Sequence, residues 1–134
     1  MITYNTDGVK MPSIRKRNTT TWIRQVAATY GKKVGEVGYM FVNDERILEV
    51  NREYLGHDYY TDIITFDYNE GDVINGDLVI SLDTIRTNAE LLDKEYDEEL
   101  HRVIIQAFSI CAASTTKALA SAKSWKRPRT AHWP

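Results

Sequence analysis

The sequence predicts one α+β domain in which helices pack on a small mixed β-sheet, in the order β-α-β-α-β-β-α-α. Short runs rich in β-branched and aromatic residues alternate along the chain with segments whose apolar residues recur at helical spacing. At 134 residues, with 43% hydrophobic and 27% charged residues, the chain suits one modest core better than two. It contains no internal repeat and no low-complexity linker, so we expect a single domain.

The first half of the chain predicts two strand–helix pairs. The helix of the first pair opens at Pro12 and Ser13 and ends at Gly31, since glycine tolerates the backbone conformation of a helix stop. Asn43 or Asp44 can cap the helix of the second pair. The predicted elements are a strand at 2–5, a helix at 12–30, a strand at 34–42 and a helix at 43–55.

The second half predicts a loop, two strands and two helices. Glycine, asparagine and aspartate between the two strands are typical of a reversing turn. The helix that follows has one apolar face, formed by Ile85, Ala89 and Leu92. The predicted elements are a loop at 56–60, strands at 62–68 and 77–81 around a turn-rich stretch at 69–76, a helix from 82 and a helix from about 97 toward 107.

The charge is distributed unevenly, although the formal net charge is only -2. Residues 1–100 hold 11 basic and all 19 acidic residues, whereas residues 101–134 hold six basic residues and no acidic one. A basic tail is typical of contact with nucleic acid or an acidic partner, and the alternative is an unstructured terminus. From residue 112 onward the composition predicts a weak helix that fades into disorder.

The sequence also indicates a compartment and excludes some chemistry. The first residues offer no charged segment followed by an apolar one, and no later run is long and uncharged enough to cross a bilayer. We therefore expect a cytoplasmic protein without a membrane partner. Cys111 is the only cysteine, which excludes an internal disulfide, and we interpret it as a small buried hydrophobe rather than a reactive thiol.

Two blocks of sequence resemble a known family. They read Val50-Asn-Arg-Glu-Tyr-Leu-Gly-His-Asp-Tyr-Tyr-Thr-Asp-Ile-Ile-Thr-Phe66 and Gly76-Asp-Leu-Val-Ile-Ser81. With the element order across residues 1–105, they resemble the YbeY family, whose pattern contains Thr-Asp-Val-Leu-Ser-Phe and Gly-Asp-Ile-x-Ile-Ser. The resemblance implies a single-strand-specific, zinc-dependent endoribonuclease of ribosomal RNA maturation and ribosome quality control, with ribosomal RNA or the ribosome as its partner.

The resemblance also implies a metal site at the end of the last helix. The family signature is His-Gly-x-Leu-His-Leu-x-Gly-Tyr-Asp-His, in which histidines at i and i+4 share a helical face and a third ligand follows a glycine turn. Three such ligands leave one position of zinc open for the water that attacks a phosphodiester. In this chain the ligand positions fall on Gln106, Ile110 and Thr116, and the glycine position falls on Ala113.

None of these three residues is a strong zinc ligand. We therefore expect that zinc, the cofactor implied by the resemblance, does not bind this chain, and that the chain is inactive as a ribonuclease. The chain then consists of a YbeY-like α+β domain at 1–105 and an altered C-terminal segment at 106–134. Two hypotheses follow: a metal-dependent RNA-processing fold that lacks its ligands, or a non-catalytic module of the same fold that binds RNA or the ribosome.

A shifted reading frame would explain the altered segment. Codons can be chosen for residues 106–134 whose neighbouring frame reads His-Gly-Phe-Leu-His-Leu-Cys-Gly-Ile-Asn-Asp, followed by an acid-rich, helix-forming ending that resembles the family's. Overlapping codons constrain each other strongly, so we prefer a frameshift from Gln106 to functional divergence or coincidence. In the other frame the third ligand would be Asp, and a His-His-Asp site is competent for zinc.

A second departure from the family pattern lies at Leu55, where the family commonly has an arginine that is linked to phosphate or the transition state. Arg52 and His57 are the nearest alternatives, and they are our only candidates for a catalytic role. Asp62 and Asp77 are expected to satisfy backbone donors at a turn and at a strand entry rather than to form a metal pair.

Basic residues gather near the start of the first helix: Lys10, Arg15, Lys16, Arg17 and Arg24. They form either a solvated surface or a contact with RNA. We name Lys10, Arg15 and Arg17 from this set as candidates for substrate binding. His57 joins them, because it lies in a predicted loop, and loops carry binding residues more often than helices and strands do.

Overall fold

The structure, a computed structural model, describes residues 1–55 and 62–113, and in this part of the chain four strands form one mixed sheet. In chain order they are β1 (Ile2–Thr6), β2 (Lys33–Val42), β3 (Ile63–Asp67) and β4 (Val73–Ser81). Their order in the sheet is β1-β2-β4-β3, with β1, β2 and β4 parallel and β3 antiparallel to β4. β1 and β3 are therefore the edges of this sheet.

Helices connect and cover these strands. They are α1 (Lys16–Thr29) between β1 and β2, α2 (Asp44–Val50) with a π-helical segment, Asn51–Leu55, behind it, and α3 (Leu82–Leu91) and α4 (Tyr96–Ala113) after β4. This order confirms the predicted α+β architecture, β-α-β-α-β-β-α-α. Among the described residues, no helix has the length and apolar character needed to span a membrane.

The helices lie on both faces of the sheet. Adjacent residues of β2 enter different cores, because side chains alternate between the faces of a strand. Tyr39 and Phe41 belong to the larger core, which α1, α3 and α4 cover, whereas Met40 and Val42 belong to a smaller core under α2. The hydroxyl of Tyr39 donates to the backbone carbonyl of Ile104 in α4 at 2.9 Å, which satisfies a polar group inside the larger core.

Polar side chains fix where the helices begin and end. Asn43, one of the two predicted caps, accepts a hydrogen bond from the backbone N–H of Arg46 at 2.8 Å and caps α2. Ser81 caps α3, and its hydroxyl donates to the carboxylate of Asp44 at 2.6 Å, which ties the start of α2 to the end of β4. Gly31, with φ of +69°, follows the end of α1 as predicted.

β4 is longer than the sequence predicts. A turn was expected over residues 69–76, but β4 begins at Val73. Val73 pairs with Lys33 at the start of β2, and the parallel pairing extends along both strands with one register shift between Val34 and Val37. Pairing with a central strand therefore outweighs the local preference of asparagine and glycine for turns. Similarly, α1 begins at Lys16 rather than at Pro12.

α4 is also longer than the predicted helix, which ends near residue 107. Phe108 and Cys111 are fully buried in the larger core, and their burial favours continuing the helix to Ala113. α4 therefore crosses the position at which the altered segment was predicted to begin. By contrast, Leu92 was predicted on the apolar face of α3 but is 55% exposed, because α3 ends one residue earlier.

Candidate functional site

The two described ligand positions of the family signature lie on one face of α4. Gln106 and Ile110 are four residues apart, which places their side chains one above the other on the helix. Both are exposed, Ile110 by 46%, whereas Phe108 and Cys111 on the opposite face are buried in the core. The third position, Thr116, lies outside the described residues.

Gln106 and Ile110 do not fit the zinc that the signature implies. The side-chain oxygen of Gln106 accepts a hydrogen bond from the guanidinium of Arg102 at 2.9 Å, and Ile110 has no donor atom. Within residues 1–55 and 62–113, no group of three or more His, Cys, Asp or Glu side chains is placed to hold a metal ion.

A buried carboxylate holds Arg102 in this position. The guanidinium donates from Nε and Nη2 to the two carboxylate oxygens of Glu99, at 2.7 and 2.6 Å, and from Nη1 to Gln106. Glu99 is 0% exposed. The hydrogen bonds from Arg102 hold the pKa of Glu99 below its usual range, against the opposing effect of burial. The three side chains therefore form a chain of charge-assisted hydrogen bonds along α4.

Side chains from distant parts of the sequence fix the end of α4. The last carbonyl groups of a helix have no partner within it. The side-chain amide of Asn69 donates to the carbonyl of Cys111 at 2.9 Å, and the ammonium of Lys32 donates to the carbonyl of Ala112 at 2.6 Å. Ala113, at the family's glycine position, is the last residue of the helix. The end of α4 is thus held by groups other than metal ligands.

Cys111 is chemically protected. It is fully buried, and its sulfur lies 3.8 Å from the carbonyl oxygen of Asn75. Burial, followed by repulsion from the carboxylates of Asp67 and Asp77, raises the pKa of the Cys111 thiol to about 12. Such a thiol is not a nucleophile at neutral pH. The structure therefore agrees with the interpretation of Cys111 as a small buried hydrophobe.

Asp62 and Asp77 meet the predicted roles only in part. Asp62 accepts a hydrogen bond from the backbone N–H of Ser81 at 3.0 Å, but through its backbone carbonyl rather than its side chain. The prediction that Asp77 stands at a strand entry is wrong, because β4 begins four residues earlier. Asp77 is 2% exposed and accepts a long hydrogen bond, 3.5 Å, from the hydroxyl of Tyr68.

The residues predicted to bind substrate lie in different places. Arg17 lines a groove of about 630 Å³ between β1 and α1, which we call the β1–α1 groove. Arg15 lines a separate cleft beside the start of α4, and Lys10 is exposed in the connection between β1 and α1. His57 lies outside the described residues.

The β1–α1 groove also contains residues that the sequence did not single out. Thr20 and Thr21 of α1 lie in it between the cations, and Thr3 and Asn5 contribute from β1. The sequence did contain one signal of this groove: polar residues recur every three or four positions along one face of α1. A polar helical face is usually only solvated, so the spacing alone did not identify a groove.

Arg52, a candidate catalytic residue, is exposed in the π-helical segment Asn51–Leu55. Single π-helical turns are rare and often occur at functional sites. No periodic pattern in the sequence predicted this one. The side chain of Leu55, at the family's arginine position, lies outside the described residues.

Comparison with known proteins identifies relatives over most of the chain. A family model described as Endoribonuclease YbeY matches residues 2–108. Proteins named Endoribonuclease YbeY from Phocaeicola vulgatus and Bacteroides thetaiotaomicron are each 69% identical, over 105 and 104 residues, and each match covers 78% of this chain and 76% of the relative. A Thermotoga maritima protein solved in solution shares the fold, with a TM-score of 0.60 at 24% identity, over 85% of this chain and 73% of its own.

The family match ends close to the altered positions. Its last matched residue is Phe108, two residues after Gln106, and residues 109–134 lie outside it. Two of the three signature ligand positions, Ile110 and Thr116, therefore fall beyond the part of the chain that matches the family.

Proposed function

The chain belongs to the YbeY endoribonuclease family, and we propose that it has kept the family's RNA-binding scaffold and lost its metal-dependent ribonuclease activity. The observation that carries this proposal is the chemistry of the ligand positions. Gln106 is engaged by Arg102, and Ile110 offers no donor atom. Replacing strong ligands removes the free energy that ligand number and geometry supply to metal binding.

The proposed ligand is single-stranded ribosomal RNA, and the proposed compartment is the cytoplasm. The name of the relatives identifies RNA as their substrate, and the described residues of this chain form the sheet of four strands and the helices that cover it. A contribution to ribosomal RNA maturation or ribosome quality control would then depend on binding rather than on cleavage.

A non-catalytic RNA- or ribosome-binding module is the second candidate. The observation that favours it is the location of the cations that line the β1–α1 groove. They belong to α1, which precedes the altered segment by many residues, so the change from Gln106 onward leaves them in place. A module of this kind would bind RNA without any need for zinc.

Metal content and cleavage test the loss of activity directly. The purified chain should contain no stoichiometric zinc by elemental analysis and should not cleave single-stranded RNA in a chelator-sensitive way. The variant Gln106→His/Ile110→His/Thr116→Asp should gain zinc, whereas Arg86→His/Glu90→His, an exposed i, i+4 pair on α3, should not. One tightly held zinc per molecule in the unmodified chain would refute the proposed loss.

We further propose that the altered segment is a shifted reading of the family's ending. The nucleotide sequence across codons 100–112 is the first measurement. Restoring one base at codon 106 should then give a chain that binds zinc, cleaves single-stranded RNA and unfolds at a higher temperature with zinc present, because a ligand held only by the native state stabilises it. Two results together would refute the frameshift: a gene whose nucleotide sequence encodes the present ending, and a repaired chain that gains neither zinc nor cleavage. The non-catalytic binding module would then explain the chain better.

A further inference from the structure

The β1–α1 groove lies at an edge of the sheet that no other strand covers among the described residues. β1 is an edge strand, and one stripe of α1 runs beside it. Lys16 and Arg17 lie in the first turn of the helix, Thr20 and Thr21 in the next, and Arg24 beyond them. All five line the groove, and no Asp or Glu does so among the described residues. The side chains of α1 thus give the groove a positive charge that no carboxylate in its described lining offsets.

The spacing of these cations suits a strand of phosphates better than a single one. Arg24 follows Arg17 by seven residues, which corresponds to about 11 Å along a helix axis. The hydroxyls between them add neutral hydrogen-bonding groups: Thr20 bonds with the hydroxyl of Tyr4 at 3.2 Å, and Thr21 donates to the carbonyl of Arg17 at 3.0 Å. Cations separated by hydroxyls can contact successive phosphates of an extended nucleic acid strand.

The start of α1 adds to the positive potential. Arg15, at the cap position, makes no side-chain capping bond, and the first turn contains no acidic residue. The first N–H groups of a helix have no partner within it and carry a partial positive charge. These groups lie at the same end of the groove as Lys16 and Arg17, so an anion at that end would meet both kinds of charge.

β1 supplies further donors. The backbone N–H of Asp7, just past β1, donates to the carbonyl of Phe41 in β2 at 3.0 Å. Because the backbone groups of successive residues point to opposite sides of a strand, the odd-numbered residues of β1 direct theirs at β2. The backbone groups of Tyr4, an even-numbered residue, then face the open edge. The backbone N–H of Tyr4 at this edge is a donor, and phosphate oxygens are acceptors.

We propose that the β1–α1 groove binds the phosphate backbone of single-stranded RNA, with Lys16, Arg17 and Arg24 as the contacting cations. This inference rests on the proposed RNA ligand and names the surface that holds it. A peptide could instead bind as an added strand along the same edge. The described lining contains cations and hydroxyls but no carboxylate, and this composition favours a phosphate backbone over a peptide. The groove would act in binding regardless of whether the altered end of α4 holds a metal.

RNA binding by matched charge variants tests the proposal. Anisotropy of a labelled single-stranded oligoribonucleotide is measured against salt concentration for the full chain, for Lys16→Gln/Arg17→Gln/Arg24→Gln and for Lys33→Gln/Arg86→Gln/Lys94→Gln. The control removes three exposed cations outside the groove, so both variants lose the same net charge. The groove variant should bind at least about tenfold more weakly, and its salt slope should fall by about 2, since each phosphate contact on a single strand contributes roughly 0.7. The control should keep the slope of the full chain.

Hydrogen exchange gives a second measurement that does not depend on variants. RNA should slow exchange at the backbone amide of Tyr4 on the open edge, and an acidic peptide at equal charge concentration should not. Equal losses of affinity in the two variants, no RNA binding by the full chain, or protection of the β1 edge by the acidic peptide alone would each overturn the proposal. Zinc content and cleavage are measured separately, so failure of the groove is distinguishable from failure of the proposed loss of metal chemistry.

Discussion

Replacing Arg102 by Gln isolates the energetic contribution of the ion pair beside the altered ligand positions. Glu99 is 0% exposed, and its two oxygens accept from Arg102 at 2.6 and 2.7 Å. Removing one partner of a buried pair costs 3–5 kcal/mol, whereas exposed pairs contribute at most about 1. Because the Arg102 side chain is 44% exposed and water can replace part of it, we expect Arg102→Gln to cost about 2 kcal/mol at pH 7.

The cost of Arg102→Gln should depend on pH in a definite direction. Arg102 holds the folded-state pKa of Glu99 below its usual range, so the pair stabilises the fold above the unfolded pKa of about 4.3. This contribution is lost as the pH falls through the lowered folded pKa. In the variant the pKa of Glu99 rises, because burial is no longer opposed by the guanidinium. The stabilities of the two proteins should therefore converge as the pH falls below about 4.

Urea unfolding at pH 7 and at pH 3 measures both effects. In thermal unfolding at pH 7, the melting temperature of Arg102→Gln should fall by about 5–10 °C, given the enthalpy typical of a domain of this size. Glu99→Gln/Arg102→Gln should recover much of the loss, because no charge is then left buried. The matched control is Arg86→Gln, an exposed cation on α3 whose guanidinium lies 5.9 Å from the ring of Tyr96. Equal losses at both pH values, or a control that loses as much, would refute the reasoning.

Two further predictions concern the buried end of α4. Cys111 should react with iodoacetamide at pH 8 only as fast as the chain unfolds, because its thiol is buried with a pKa of about 12, and rapid labelling of the native chain in mass spectrometry would contradict this. Gly76→Ala should lower the free energy of unfolding in urea by about 2–3 kcal/mol, as overpacking does. The added Cβ would lie 2.8 Å from the sulfur of Cys111 and 2.9 Å from the backbone oxygen of Phe66, so Gly76→Ala/Cys111→Ala should relieve only part of the loss.

The order of strands and helices was predictable because it depends on local pattern. Alternating apolar residues identified β2, and a short polar side chain at the right place identified Asn43 as a cap. The start of β4 at Val73 was not predictable, because it depends on pairing with Lys33, forty residues away, and the local composition favours a turn. Sequence pattern thus fails where a distant strand decides the conformation.

The candidate site was predictable only as a set of positions. The signature located Gln106 and Ile110 at helical spacing, and the structure places both on the exposed face of α4. The bond from Arg102 to Gln106 spans one helical turn and follows from their i, i+4 spacing. The caps from Lys32 and Asn69, by contrast, follow from tertiary geometry that no short motif encodes. The β1–α1 groove was missed for a similar reason, since four of its nine lining residues come from β1 and the other five from α1, and only the fold brings the two elements together.

The two faces of α4 explain how metal chemistry can be lost while the fold is kept. Packing depends on the buried face, where Ala107, Phe108 and Cys111 fill the larger core. The ligand positions Gln106 and Ile110 lie on the exposed face, where most substitutions change stability by less than about 0.5 kcal/mol. The helix therefore tolerates a change of ligands as long as the buried residues remain apolar and of suitable size. In the alternative frame position 108 also reads phenylalanine and the other buried positions read small or apolar residues, so the two endings differ chiefly in whether they supply donors to a metal.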